Sequence, residues 1–448
     1  MTRVRALVRG KNCKFAARFK DMMHTWLRTS LLFLVLLPFR GVAQQEVDSL
    51  RASLLTCAPG RESYALYGHT ALRIARTDGQ ADWTFNYGVF DFNQRDFVWR
   101  FMMGRTDYTV SAVPTPTFLS LYAAEGREVT EQRLALSQQE IVRLLGLVNE
   151  NVGTPGWTYR YNFLTDNCAT RVIELIRSSL DGTLQFAPLD TALTYRRIIH
   201  RFADVPDPWG SFGQDLLLGR SVDTLLAVEG ALAFPLCALE AVRTATVVRA
   251  DGRRYALAAA PESLNATVSG EGLDGTGTAR AAWVATPLVV SGVILLLSLL
   301  VSMLQWRGRF LPARIFDDMG MLLTGVAGCI VTLLFLFSAL PSVGSNLLVV
   351  FLNPLPLLYL PWKMRNDRRG KADGYIPSVQ FFLLSLCFVV AFLQDVPAAF
   401  LVLALSLLVR SVTYRELRRP KFPLWRRVVT YSVAFMAIVI TALNIFRA

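Results

Sequence analysis

The chain has 448 residues, 53% of them hydrophobic, and a formal charge of +13. That length exceeds one ordinary soluble core, and a mean hydropathy of +0.36 points to membrane segments. The charge does not signal nucleic acid: basic residues crowd into the N-terminal leader and the short loops between apolar runs, a positive-inside pattern, with no RNA- or DNA-binding motif beside them.

The N-terminus reads as a secretion signal. Arg3, Arg5, Arg9, Lys11, Lys14, Arg18 and Lys20 form a long basic region, and an apolar core runs from Trp26 to Phe39. Gly41-Val42-Ala43 supplies the small residues a signal peptidase needs, which makes residues 1–43 a signal peptide and Gln44 the mature N-terminus. A start at Met22 or Met23 would give a signal of normal length.

Residues 44–242 read as a mixed globular domain. Ala71 to Ala75 and Trp83 to Val89 have strand character and flank the turn Thr77-Asp78-Gly79. Ser137 and Glu140 form a capping box ahead of the apolar stripe Ile141, Leu144, Leu145 and Val148, which predicts a helix over 137–149. A second helix is predicted from Cys168, with Val172, Ile173, Ile176 and Leu180 on one face and Asp181-Gly182 as its end. Thr224 to Val242 is apolar but interrupted by Glu229, Pro235 and Glu240. It suits either a core helix or a segment lying on a membrane surface. Residues 243–282 are polar and rich in Gly, Ala and Thr, as in a weak strand pair followed by a flexible linker.

Residues 283–448 carry six apolar runs, at about 284–305, 319–340, 347–361, 376–394, 397–410 and 428–446. The third and fifth are short for a bilayer that takes about 20 residues to span. Loops after the first, third and fifth runs are rich in Arg and Lys, whereas Pro341 to Asn346 and Gln394 to Pro397 contain none. That alternation predicts about six spans with the soluble domain exported, in the inner (cytoplasmic) membrane with the N-terminal domain in the periplasm. Asp317, Asp318 and Asp395 fall at span ends, so no proton relay is read inside the bundle.

The exported part keeps Cys57, Cys168 and Cys237, an odd number that leaves at least one thiol free or paired with another chain. In an oxidising compartment a retained free thiol suggests reactivity. Cys168 stands in the first turn of its predicted helix, where unpaired N–H groups and the helix dipole stabilise a thiolate. His69 opens a strand just after a Gly-containing turn, and a neighbouring imidazole would give a thiolate–imidazolium pair. The same spacing also fits a buried structural cysteine and an unrelated histidine. His200 reads as a surface or core histidine.

Four stretches resemble the Lnb-type N-terminal periplasmic domain family of the Bacteroidetes and their relatives: Ser53-Leu-Leu-Thr-Cys-Ala-Pro-Gly, Tyr67-Gly-His-Thr-Ala-Leu-Arg-Ile, Phe85-Asn-Tyr-Gly-Val-Phe-Asp-Phe and Tyr161-Asn-Phe-Leu-Thr-Asp-Asn-Cys-Ala-Thr-Arg. Asp207-Pro-Trp-Gly with Gly213-Gln-Asp-Leu-Leu-Leu-Gly-Arg looks like that family's end-of-domain block, and Asn353-Pro-Leu-Pro-Leu is similar to its membrane half. The placement of His before Asn-Cys also looks like permuted papain-like enzymes such as lecithin:retinol acyltransferase. The implied fold is an α+β papain-like domain (permuted, NlpC-like) followed by an all-α transmembrane bundle. The implied activity is lipoprotein N-acylation, with membrane phospholipid as acyl donor, a lipoprotein N-terminus as acceptor and no cofactor. Cys168 would be the nucleophile and His69 the base. Asn86 is the candidate to orient His69, with Tyr87 and Asp166 as competitors, the latter also a candidate helix cap. Arg73, on the face of His69, is a candidate for lipid phosphate or simply a solvated strand charge. Cys57 is expected to be buried or paired with Cys237. A cysteine peptidase or amidase acting on cell-wall peptides, or a non-catalytic envelope scaffold, are the alternatives.

Overall fold

The computed structural model describes residues 50–90, 95–188, 193–265, 286–369, 375–418 and 424–447. The expected signal peptide lies outside them, as does the run 266–285.

In chain order the strands are β1 (Leu50–Cys57), β2 (His69–Arg76), β3 (Asp82–Val89), β4 (Asp107–Pro114), β5 (Val129–Arg133), β6 (Tyr159–Arg160), β7 (Thr183–Gln185), β8 (Thr246–Val248), β9 (Arg254–Ala256) and β10 (Glu262–Ser263). Seven of them form one sheet in the order β10-β5-β1-β2-β3-β4-β6, every neighbour antiparallel. A small second sheet has the order β7-β8-β9. The period of two sorts side chains cleanly. Leu54, Leu72, Ile74, Phe85 and Tyr87 enter the main core on one face, while Leu55, Cys57, Ala71 and Val129 pack with Phe118 on the other.

The helices of this domain are α1 (Phe97–Met102), α2 (Thr115–Ala124), α3 (Gln138–Gly153), α4 (Cys168–Ser179), α5 (Tyr195–Ala203), α6 (Pro208–Leu217) and α7 (Pro235–Thr244). The capping box is present: the Glu140 N–H donates to Ser137 Oγ, and the Glu140 carboxylate accepts from the Ser137 N–H. Ile141, Leu144 and Val148 of α3 are buried, as are Val172, Ile173 and Ile176 of α4, so both helices lay a 3.6-period stripe on the sheet. Each such aliphatic side chain stabilises the fold by about 2 kcal/mol, and Leu144→Ala would cost about 2–5 kcal/mol.

Two stretches gain definition from packing. The expected weak strand pair after 243 is present as β8 and β9, and the chain beyond it also packs on the main sheet. Val247 and Leu257 are fully buried, β10 pairs with β5, and Asn265 accepts from the Val129 N–H and donates to the Arg127 carbonyl. β10, which the sequence did not show, is only two residues long. Thr224 to Val242 lies in the core rather than on a membrane surface: Ala231, Leu232, Ala233, Phe234, Ala238 and Val242 are buried.

The C-terminal half contains α8 (Pro287–Trp306), α9 (Phe310–Phe337), α10 (Leu355–Arg368), α11 (Tyr375–Val390), α12 (Ala398–Arg418) and α13 (Leu424–Arg447). α12 packs against α8, α11 and α13, and α9 against α10. Among the described residues, Pro287–Trp306, Phe310–Phe337, Leu347–Arg368 and Arg427–Phe446 are long and apolar enough to cross a membrane, while Val379–Val390 and Ala398–Tyr414 are shorter apolar helices. The third run is broken. A 3-10 turn at Leu347–Val350 ends before Asn353-Pro354, and α10 starts beyond the proline. The second run was read too late, since α9 begins at Phe310. Asp317 and Asp318 therefore sit inside that helix, where Asp317 pairs with the buried Arg410 at 2.8 Å and Asp318 with Lys363.

The bundle turns that lack Lys and Arg are the ones that meet the N-terminal domain. The Gly219 N–H donates to the Ser342 carbonyl (2.7 Å), and the Asn346 amide donates to the Leu216 carbonyl (2.8 Å). The Gln394 amide donates to the Leu218 carbonyl and the Asp395 N–H to the Asp223 carboxylate. Gly219 is needed there by close approach, because a Cβ would lie 2.2 Å from the Asn346 nitrogen.

Candidate active site

The site forms where two strands part. β2 and β3 pair from Ala75/Asp82 to Leu72/Phe85 and no further, and β3 carries a bulge between Tyr87 and Val89. Gly88 makes that irregularity with a φ of 89°, a backbone conformation that side chains disfavour. The N-terminus of α4 enters the fork. Asn167 caps it, accepting the N–H groups of Ala169 and Thr170 and donating to the Phe163 and Ala233 carbonyls, so the helix start is locked from both sides.

Cys168 is the first residue of α4 and is 7% exposed. Burial pushes its thiol above the usual range, against the backbone N–H groups of Thr70, Ala169 and Cys168 itself, which point at the sulfur and favour the thiolate. One of these donors, Thr70, is the neighbour of His69. On the other side, a Cβ at Gly88 would lie 3.6 Å from Cys168 Cβ and 3.5 Å from the Tyr161 ring, ordinary contact distances, so Gly88, Cys168 and Tyr161 meet at one point.

His69 opens β2, and its Nε2 lies 3.1 Å from Asn86 Oδ1 on β3. The residue is half-buried, and the protein packed around its ring disfavours the charged form, which pushes the imidazole down to about 4. Asn86 opposes that shift, and the Arg127 charge adds to it. Burial thus moves the thiol up and the imidazole down, each towards its neutral form, which opposes the expected thiolate–imidazolium pair. The helix start does favour the thiolate, but burial outweighs it. Among the described residues no hydrogen bond joins the His69 ring to Cys168.

The other candidates are placed elsewhere. Tyr87 is fully buried and its hydroxyl accepts from Asn151. Asp166 grips Arg171 through both oxygens, so it is neither the cap nor a partner of His69. Arg73 is neither solvated nor free for lipid phosphate, because Asp82 and Glu131 hold it. Cys57 and Cys237 are both free thiols and not a disulfide; burial pushes Cys57 up to about 12 and Cys237 up to about 11. His200 is doubly ion-paired, with Asp204 at 2.7 Å on Nδ1 and Asp215 at 3.3 Å on Nε2. These carboxylates raise it to about 10 against burial, which lowers it. Both nitrogens are engaged, so it is a charged clasp between α5 and α6 and not a base.

Sequence reasoning missed Tyr159. Its hydroxyl is buried without a hydrogen-bond partner among the described residues, and it lies 3.8 Å from where a Gly88 side chain would begin. Burial first, and the neighbouring Cys168 next, push the phenol far up, so it stays protonated and able to donate. It stands on a two-residue strand, which carries no pattern to single it out. Among the described residues no group of His, Cys, Asp and Glu could hold a metal ion.

The family model described as the Lnb N-terminal periplasmic domain matches residues 42–201, and that described as the Lnb transmembrane domain matches residues 279–420. No curated protein and no solved structure matches.

Proposed function

We propose, from the premise that this chain belongs to the Lnb-type family through both its periplasmic and its transmembrane domain, that it is an inner-membrane lipoprotein N-acyltransferase. The observation that carries the reading is a helix-start thiol, Cys168, that accepts from the N–H of Thr70, the residue next to the strand-start His69, with His69 held by Asn86, in a domain fastened to a membrane bundle. Donor and acceptor would be membrane phospholipid and the α-amino group of a lipoprotein N-terminal cysteine. A soluble peptide substrate needs no such anchor.

Because Asn86 Oδ1 accepts from Nε2–H, Nδ1 keeps its lone pair and is the base. In the first half, Cys168 sulfur bonds to the ester carbonyl carbon while Nδ1 takes the thiol proton. The tetrahedral oxyanion receives N–H donation from the start of α4 and O–H donation from Tyr159. Collapse breaks the ester C–O bond, and the lysophospholipid leaves with the proton from His69. In the second half, the lipoprotein amine attacks the Cys168 thioester, His69 takes its proton, and the C–S bond breaks to return the thiol. The balance is ester plus amine to amide plus alcohol, with no redox change.

Mass spectrometry of intact N-terminal lipopeptides, from cells with and without the protein, tests this. Loss of one amide-linked acyl chain is expected on its removal. Unchanged lipopeptides together with altered wall-peptide cleavage would favour the peptidase or amidase instead.

A further inference from the structure

The N-terminal domain touches the bundle a second time, through α1. The Met102 and Met103 carbonyls accept from Ser338 Oγ (3.2 Å) and the Ala339 N–H (2.9 Å), and the Gly104 backbone lies against Leu340. This fixes a six-residue helix beside the end of α9, where Leu336 and Phe337 are 62% and 60% exposed. α1 itself exposes Trp99 at 49% and Phe101 at 43%. Large aromatic residues exposed at the end of an apolar bundle have the placement of a membrane-interface belt. Arg95 and Arg105, both exposed, flank the helix, and their charge suits the phosphates of lipid headgroups.

From α1 a file of rings leads inward. Phe101 stacks on Phe97 (6.2 Å between centroids), Phe97 on Phe90 (5.3 Å), Phe90 packs on Tyr108 (5.0 Å) and Tyr108 stacks on Tyr161 (4.1 Å). Tyr161 and Cys168 then meet at Gly88, where a Cβ would touch both. Along this file Phe97, Phe90 and Tyr161 are half-buried, while Tyr108, which joins the last two, is buried in the core.

We propose that a phospholipid in the outer leaflet slides one acyl chain over α1 and along the rings of Phe101, Phe97, Phe90 and Tyr161, which the buried Tyr108 holds in file, so that its ester carbonyl comes to rest at Cys168. The inference rests on the acyltransferase reading and specifies the route of its donor. The occupant is a hydrocarbon chain, because the exposed parts of these rings offer an apolar strip with few groups to pair a peptide backbone. The fixed contact between α1 and Ser338–Leu340 makes the strip continuous with the lipid-facing end of α9, so the chain need not cross water.

The test uses full-length Cys168→Ser protein in bilayer nanodiscs whose phospholipid carries a diazirine on the acyl chain. Photo-adducts are expected in peptides covering 95–108 and 159–161 as well as in the bundle. Adducts confined to the bundle overturn the route, whether or not the protein transfers acyl groups. A second arm uses the Trp99→Gln/Phe101→Ser variant, which alters exposed positions. Cys168 acylation from bilayer phospholipid should fall about tenfold, the effect of losing burial of about two methylenes, while acylation by a soluble short-chain thioester is kept. Equal rates from bilayer lipid in variant and wild type overturn the route. Absence of any acyl adduct on wild type from either donor counts against the acyltransferase reading, and the photo-adducts then still decide the route.

Discussion

Asn86 Oδ1 stands 3.1 Å from Nε2 of His69, across the point where β2 and β3 separate. This one bond sets the tautomer of the imidazole and leaves Nδ1 as the nitrogen that accepts a proton. It also opposes the burial that depresses the ring.

Asn86→Ala should therefore lower kcat by about 10²-fold, towards the range of about 10²–10⁴ expected for loss of a general base. The pH profile gives a second readout. Activity needs neutral His69, so it should hold as pH falls and drop through about 4. Removing Asn86 takes away a contribution that raises the imidazole, so the acid limb should move to lower pH. A limb that moves up, or a variant with full activity, contradicts the assigned role.

Tyr159→Phe separates catalysis from stability. The hydroxyl has no partner among the described residues, so its removal leaves no other group unsatisfied and should not lower the Tm. Loss of an oxyanion donor should reduce kcat by about 10²–10³-fold. Full activity at unchanged Tm would exclude the donor role.

The strand-start histidine and the helix-start cysteine were both legible in the sequence, because a glycine turn and an Asn cap advertise the ends of elements. The capping box at Ser137 and Glu140 was legible for the same local reason. What the sequence hid was tertiary. Arg73 looked available until Asp82 of β3 and Glu131 of β5 closed on it, and the thiolate expected at Cys168 is offset by burial that only the packed fold supplies. Tyr159 and β10 lie in elements too short for periodicity to register.

His200 should make stability depend on pH. Its folded value, about 10, lies above the ordinary 6.5, so the protonated imidazole stabilises the fold. That contribution is complete below about 6.5 and disappears as pH rises through about 10. The Tm difference between wild type and His200→Gln should be largest near pH 6 and close at alkaline pH. A difference that is flat with pH would mean that the ion pairs with Asp204 and Asp215 contribute nothing.

Gly219→Leu tests whether docking of the domain on the bundle matters. The new side chain would collide with the backbone of Ser345 and Asn346. Displacement by about 1 Å can cost about 10² in rate, so acylation from bilayer phospholipid should fall by about that factor. Reaction of Cys168 with a small soluble electrophile should persist. Equal loss of both would indicate unfolding, and no loss of either would show that docking is dispensable.

The central claim is a covalent acyl-Cys168 intermediate, and intact-protein mass spectrometry reads it directly. Wild type incubated with phospholipid bilayers and no acceptor should gain the mass of one fatty acyl chain on Cys168. Hydroxylamine should remove it, a lipoprotein N-terminus should discharge it, and Cys168→Ser and His69→Ala should each abolish its hydroxylamine-sensitive form. Triacylated lipoproteins made by the Cys168→Ser protein in cells with no other acyltransferase, without that adduct, would contradict the account.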